Sequence, residues 1–259
     1  MGELDGQVAV VTGSGRGIGA ATARLLARAG ATVVLNDVDA AVLEAAVQAL
    51  RAEGLDAQGV VADVRTAAGA ERLIQTALGL RGRLEVLVNN VGGSGTRDRA
   101  VPTSVLRMEW DDMLETFRHN VEGMFRCTRL ALPGMCERRY GRIVSVSSLA
   151  GRSRSLLGGP AYAAAKAAII GFTRHTSAEL AAFNVTINAV APGLILSERV
   201  RARVEGRAPE VQRELLRTIP LGRGGESEEV AAAIAFLCSP AASYITGAVL
   251  DVNGGVWVG

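Results

Sequence analysis

Val8-Ala9-Val10-Val11-Thr12-Gly13-Ser14-Gly15-Arg16-Gly17-Ile18-Gly19 decides how the rest of the chain is read. A β-branched run ends in a cluster of glycines, and an alanine-rich segment of helical period, Gly19 to Ala29, follows at once. A strand that turns through glycines into a helix offers bare backbone N–H groups and the positive end of the helix dipole. A diphosphate suits such a turn, although a ligand-free tight turn has the same appearance in isolation. The spacing is TGxxxGxG rather than strict GxGxxG, because the third glycine of the strict pattern would fall at Ile18.

Outward from this stretch, β-branched runs recur at Val8 to Thr12, Thr32 to Asn36, Gly59 to Ala62, Val86 to Asn89, Arg142 to Val146, Thr186 to Val190 and Val249 to Val252. Between them lie segments of helical period, among them Gly19 to Ala29, Ala40 to Glu53, Trp110 to Arg138, Ala161 to Phe183 and Glu228 to Cys238. Parallel strands need crossover connections, so this alternation predicts an α/β fold: a doubly wound (Rossmann) seven-stranded parallel sheet with helices on both faces. Ligands then bind at the carboxyl ends of the strands. No repeat, linker or composition break divides residues 1–259, which read as one domain. Segment 194–225 stands apart; it interleaves Arg199, Arg201, Arg203, Arg207 and Arg213 with Glu198, Glu205, Glu210 and Glu214, and reads as a mobile helical flap.

Composition narrows the function. The net charge is +2 with both signs mixed along the chain, which argues against nucleic acid as a partner. Charges interrupt every apolar run, so no membrane span is expected. Met1 to Asp5 is acidic and lacks the form of a secretory leader, and the three cysteines, Cys127, Cys136 and Cys238, have neither metal-site nor redox spacing. A cytoplasmic protein without a metal site is the expectation.

Asp37 ends the second strand eighteen residues after Gly19, where a carboxylate accepts hydrogen bonds from an adenosine ribose and repels a 2′-phosphate. Two like charges about 4 Å apart cost roughly 1 kcal/mol in water and roughly 4 at an effective dielectric near 20. Asp37 therefore argues for NAD. Arg16 pulls toward NADP if it faces the ribose, and is neutral if it pairs with Asp37 or faces solvent.

Tyr162 and Lys166 lie four residues apart in a helical segment and share one face. A phenol with a pKa near 10 is a poor base at neutral pH, and a neighbouring ammonium stabilises its anion. Lys166 is the one lysine beside twenty-seven arginines, which a bland surface role explains poorly.

With these residues in view the chain resembles the short-chain dehydrogenase/reductase family. TGxxxGxG at 12–19, Asn89-Asn90-Val91-Gly92, Asn120, Ser148, Tyr162 with Lys166, and Pro192-Gly193 occur in the family's order from Gly6 to Gly255. The resemblance implies a hydride exchanged between NAD(H) and a secondary alcohol or ketone, with Tyr162 as general acid/base and Ser148 holding the substrate oxygen. It also implies that Lys166 tunes Tyr162 and binds the nicotinamide ribose, and that Asn120 holds a relay water.

Gly13, Arg16, Gly17, Ile18, Gly19, Asp37, Asp63, Val64, Asn90, Gly92, Pro192, Gly193, Ile195 and Ser197 would complete the cofactor site beside Tyr162 and Lys166 by the same resemblance. Val91 and Ser197 depart from the family's commonest residues. Ser148 sits fourteen positions before Tyr162, one more than is commonest, which keeps Ser147 open as its replacement.

The intervening loop, Gly151 to Pro160, brings Arg152, Arg154, Leu156 and Leu157 to the expected substrate border, the leucines favouring an apolar or cyclic substrate and the arginines leaving an anionic one open. His119 beside Asn120 reads as packing. By resemblance the helices over 110–138 and after Tyr162 pair subunits and residues 249–255 complete a homotetramer. Two rivals stand: an NADPH-dependent 3-oxoacyl-carrier-protein reductase, whose usual Gly-Asn-x-Gly-Gln loop is here Leu157-Gly158-Gly159-Pro160, and a non-catalytic nucleotide sensor on the same fold.

Overall fold

Strands β1 (Val8–Val11), β2 (Thr32–Asp37), β3 (Ala57–Val61), β4 (Val86–Asn89), β5 (Gly141–Val146), β6 (Val185–Pro192) and β7 (Val249–Val252) pair in the order β3-β2-β1-β4-β5-β6-β7, all parallel. The computed structural model describes residues 2–94, 101, 103–154 and 157–259, without the side chains of Arg199 and Arg203. Seven strands were expected and seven form among the described residues, each within two residues of its predicted ends.

The helices are α1 (Gly17–Arg28), α2 (Ala40–Ala52), α3 (Ala67–Arg81), α4 (Trp110–Phe117), α5 (Gly123–Arg138), α6 (Pro160–Ala181), α7 (Glu198–Glu205), α8 (Pro209–Arg217) and α9 (Ser227–Cys238). Strand side chains alternate between two cores. Ala9 and Val11 of β1 join Leu26 of α1, Leu43 and Val47 of α2, and Ile234 and Leu237 of α9 on one face. Val8 and Val10 join Leu73 and Ile74 of α3 and Met135 of α5 on the other. Both faces of the sheet are covered, so its central strands are buried throughout and largely apolar, as parallel strands are.

The expected helix over 110–138 runs its whole length but widens in the middle. Between α4 and α5 the residues Arg118–Glu122 form a π turn centred on buried Asn120. The Asn120 amide donates to the Thr116 carbonyl at 2.8 Å and to the Gly93 carbonyl at 3.1 Å. A side chain that competes for helix carbonyls in this way favours a wider turn. Within segment 194–225 the chain forms α7 and α8, beside a small cluster of Leu194, Val204 and Ile219. Among the described residues no helix is long and apolar enough to cross a membrane.

Candidate active site

From β1 the chain proceeds to β2 and β3 on one side, whereas β4 lies on the other. Ligands collect at the carboxyl ends flanking such a reversal. A cleft of about 600 Å³ opens there, within the range of cofactor and small-molecule sites. Gly13, Arg16, Gly17, Ile18 and Asp37 line one end, and Asn90 and Gly92 line the floor. Ser148, Tyr162 and Lys166 share the cleft with Pro192, Gly193, Ile195 and Ser197.

The glycine loop is fastened to β4 by Asn90. Its amide donates to the carbonyls of Thr12 at 3.1 Å and Gly13 at 2.9 Å, while its backbone N–H donates to Thr12 Oγ1 at 2.9 Å. A Cβ at Gly19 would strike the Gly13 carbonyl and come within 2.7 Å of the Asn90 amide, so only glycine lets α1 start so close to β1. No side chain caps α1, although Asp39 caps α2 and Thr66 caps α3. The first N–H groups of α1 therefore lack the side-chain partner that helix starts usually have. An uncapped helix start beside bare glycines fits the diphosphate of a dinucleotide.

Asp37 Oδ2 accepts from Gly15 N–H at 3.3 Å, and its Oδ1 accepts from Val38 and Asp39 N–H at 2.8 and 3.1 Å. These bonds hold the carboxylate at the cleft wall. Arg16 is exposed, lines the same end, and among the described residues forms no ion pair with Asp37.

Pro160 occupies the first turn of α6, where its missing N–H costs nothing. Tyr162 in that turn and Lys166 in the next project from the same face, and Lys166 Nζ lies 5.7 Å from the centre of the Tyr162 ring. Lys166 is 2 % exposed and donates to the Val146 carbonyl at 2.9 Å. Burial pulls its pKa down to about 7, so the amine is poised between charged and neutral forms.

The two serines after β5 are separated by their bonding. Ser147 is buried and donates to the Lys166 carbonyl at 2.8 Å, whereas Ser148 accepts from Ala150 N–H at 3.1 Å and among the described residues donates to no other group.

Four of the residues anticipated at the site do not line the cleft: Gly19, Asp63, Val64 and Asn120. Gly19 shapes the loop from behind. Asp63 chelates Arg65, with contacts of 2.7 to 3.1 Å, and Val64 is buried against Gly123. Asn120 Oδ1 accepts from Gly93 N–H at 3.0 Å, behind the floor.

Arg152 and Arg154 correct the sequence reading more plainly. Neither borders the cleft: Arg152 turns to the carbonyls of Val249 and Gly259, and Arg154 is exposed. Leu156 lies outside the described residues. The sequence reading missed Gly93, Leu149, Leu194 and Val200, which line the cleft without any chemical signature. Among the described residues no His, Cys, Asp and Glu cluster is placed to hold a metal ion.

Sheet order, glycine turn and the Ser148, Tyr162 and Lys166 cluster define an oxidoreductase of the dinucleotide-binding α/β class. The chain belongs to the short-chain dehydrogenase/reductase family, whose members act on ketone and alcohol groups. A family model described as enoyl-(acyl carrier protein) reductase matches residues 13–257. A 3-oxoacyl-[acyl-carrier-protein] reductase of Synechocystis is 41% identical over 99% of each chain. Among solved structures, a 3-oxoacyl-[acyl-carrier protein] reductase of Brucella melitensis superposes with a TM-score of 0.90 at 34% identity, covering 99% of this chain and 93% of that one. A 7α-hydroxysteroid dehydrogenase complexed with NADH and 7-oxo glycochenodeoxycholic acid gives 0.88 at 32%, covering 97% and 94%.

Proposed function

We propose that the protein exchanges a hydride between NAD(H) and a secondary alcohol or ketone with an apolar or cyclic body. The carrying observation is that Asp37 lines the same cleft as Tyr162, Ser148 and Lys166, at the end formed by the glycine loop. The dinucleotide would be held by the N–H groups around Gly13 and Gly17, by Asp37 at the adenosine ribose, and by the Ile195 backbone and Ser197 at the carboxamide. When bound, it supplies the hydride and accepts it back.

Tyr162 delivers a proton to the carbonyl oxygen in reduction and removes it in oxidation, while Ser148 Oγ–H donates to that oxygen. Lys166 shares the phenol's surroundings, and its charged form favours the phenolate. Asn120 holds the floor through Gly93 and, by the family resemblance, would hold the water that relays protons from Lys166. The apolar lining of Leu149, Leu157, Leu194 and Val200 suits a hydrocarbon substrate and excludes water from its oxygen. Segment 194–225 acts as the flap; its ion pair Arg201–Glu226, 2.9 Å and half-exposed at both ends, contributes little to holding it shut. Exposed Trp110, Phe125 and Tyr244 support a homotetramer.

Fluorescence titration with NADH and NADPH tests the cofactor assignment directly. NADH should bind tightly and NADPH weakly, and Asp37→Ala should relax the difference; preferential NADPH binding by the wild type would overturn it. A second reading, reduction of a 3-oxoacyl thioester, is favoured by the names of the curated relatives, and turnover of acetoacetyl thioester with NADPH over NADH would select it.

A further inference from the structure

Arg152 ends the short 3-10 turn that starts at Ser148, and its side chain reaches away from the cleft. Its guanidinium lies 4.1 Å over the centre of the Trp257 ring. Nη2 donates to the Gly259 backbone oxygen at 2.7 Å, Nη1 to the Val249 carbonyl at 3.4 Å, and Nε sits 3.5 Å from the Asp251 carboxylate. Among the described residues, the backbone N–H groups of Ala150, Gly151, Arg152 and Ser153 all return to Ser148 or Leu149, which is short in range. The arginine is therefore this turn's polar tie to a distant part of the chain.

Segment 253–259 is itself well built. Asn253 accepts from Gly255 N–H at 2.9 Å and donates to the Trp257 carbonyl at 3.0 Å, and the Gly254 carbonyl accepts from Leu221 N–H at 3.1 Å. Val256 packs on the flap cluster together with Leu157, Val200 and Leu215. Leu157 and Val200 face the cleft, whereas none of residues 253–259 does. One segment thus grips the turn after Ser148 through Trp257 and the flap through Val256.

We infer that segment 253–259 is a strap that determines substrate size: through Arg152, a positioning residue, it fixes the turn carrying Ser148, and through Val256 it sets how far the flap stands from that turn. This rests on the hydride-transfer reading above. A bland anchor for this segment would explain the Trp257 and Gly259 contacts alone. It does not explain why the same guanidinium, whose side chain is 10 % exposed, also reaches Val249 and Asp251 of β7 from a turn that starts at the proposed substrate-binding serine.

The test compares wild type with Arg152→Ala, Trp257→Ala and Trp257→Phe. Amide hydrogen exchange across residues 149–154 should quicken about tenfold in Trp257→Ala, more than one hundred residues away in sequence, and stay near wild type in Trp257→Phe, which keeps the ring. With cyclohexanone, 1-tetralone and ethyl acetoacetate as probes, both alanine variants should raise KM for the best substrate about tenfold and narrow the preference among the three, with kcat within about threefold and NADH affinity unchanged. Unchanged exchange at 149–154 in Trp257→Ala overturns the strap whichever ketones react. Exchange that quickens while KM and the substrate ranking stay fixed reduces it to an anchor and overturns the specificity role. Failure of wild type to bind NADH or to reduce any probe rejects the hydride-transfer reading instead, and the exchange result then decides whether the strap orders the turn.

Discussion

Lys166 Nζ and the Tyr162 ring centre are 5.7 Å apart, and the amine's hydrogen bond runs to the Val146 carbonyl rather than into water. The chain's one lysine is therefore buried for proximity to a phenol at the expense of its own solvation.

That burial has a stability signature. The folded pKa, lowered from 10.5 to about 7, means that between these values the unfolded chain holds a proton that the folded chain lacks. Stability should therefore rise with pH across that window, by at most about 1.4 kcal/mol per unit, and the penalty is fully present below pH 7. Lys166→Met should unfold at higher urea than wild type at pH 6.5, lose most of that advantage by pH 10, and show no turnover. Urea titrations at the two pH values check this.

Tyr162→Phe removes the hydroxyl and keeps the ring. Turnover should fall about 10²–10⁴-fold, with NADH affinity retained within a small factor, as read by stopped-flow absorbance and fluorescence titration. A nucleotide sensor on this fold would keep its function in the same variant.

Asp37→Ala should improve NADPH binding relative to NADH by about one to three powers of ten, the span of the like-charge repulsion it relieves. Adding Arg16→Ala to this variant separates the two residues: if Arg16 holds the 2′-phosphate, the double variant loses what the single one gained.

Gly92→Ala tests the floor of the cleft. Its φ of +159° and the positions of Asn120 Oδ1 and Lys166 Nζ, 2.5 and 2.7 Å from a Cβ placed there, leave no room for a methyl group. Stability should drop by about 1–3 kcal/mol, with turnover falling further than cofactor affinity. Thermal melts beside single-turnover kinetics resolve the two.

The fold was legible because strand and helix periods alternate cleanly, and because β1 and the glycine turn fix where the alternation starts. The π turn at Asn120 was not, since a side-chain amide bonding to Thr116 and Gly93 leaves no trace in hydrophobic spacing. At the site, residues that carry chemistry stood out by type and spacing, whereas the apolar wall of Leu149, Leu194 and Val200 became visible only once the strands had converged. Arg152 was misplaced for a plainer reason. A charged loop residue near a cleft looks solvent-facing until its distant partners, Asp251, Trp257 and Gly259, are seen.

A chain whose one lysine is 2 % exposed presents no side-chain amine at its surface. Acylating reagents, aldehyde cross-linkers and amine-coupled supports then find no lysine there to attack, and immobilisation has to proceed through other groups. The same scarcity makes Lys166 a built-in spectroscopic label: protein grown with isotopically labelled lysine carries one side-chain amine resonance, and that single line reports the protonation state at the heart of the cleft.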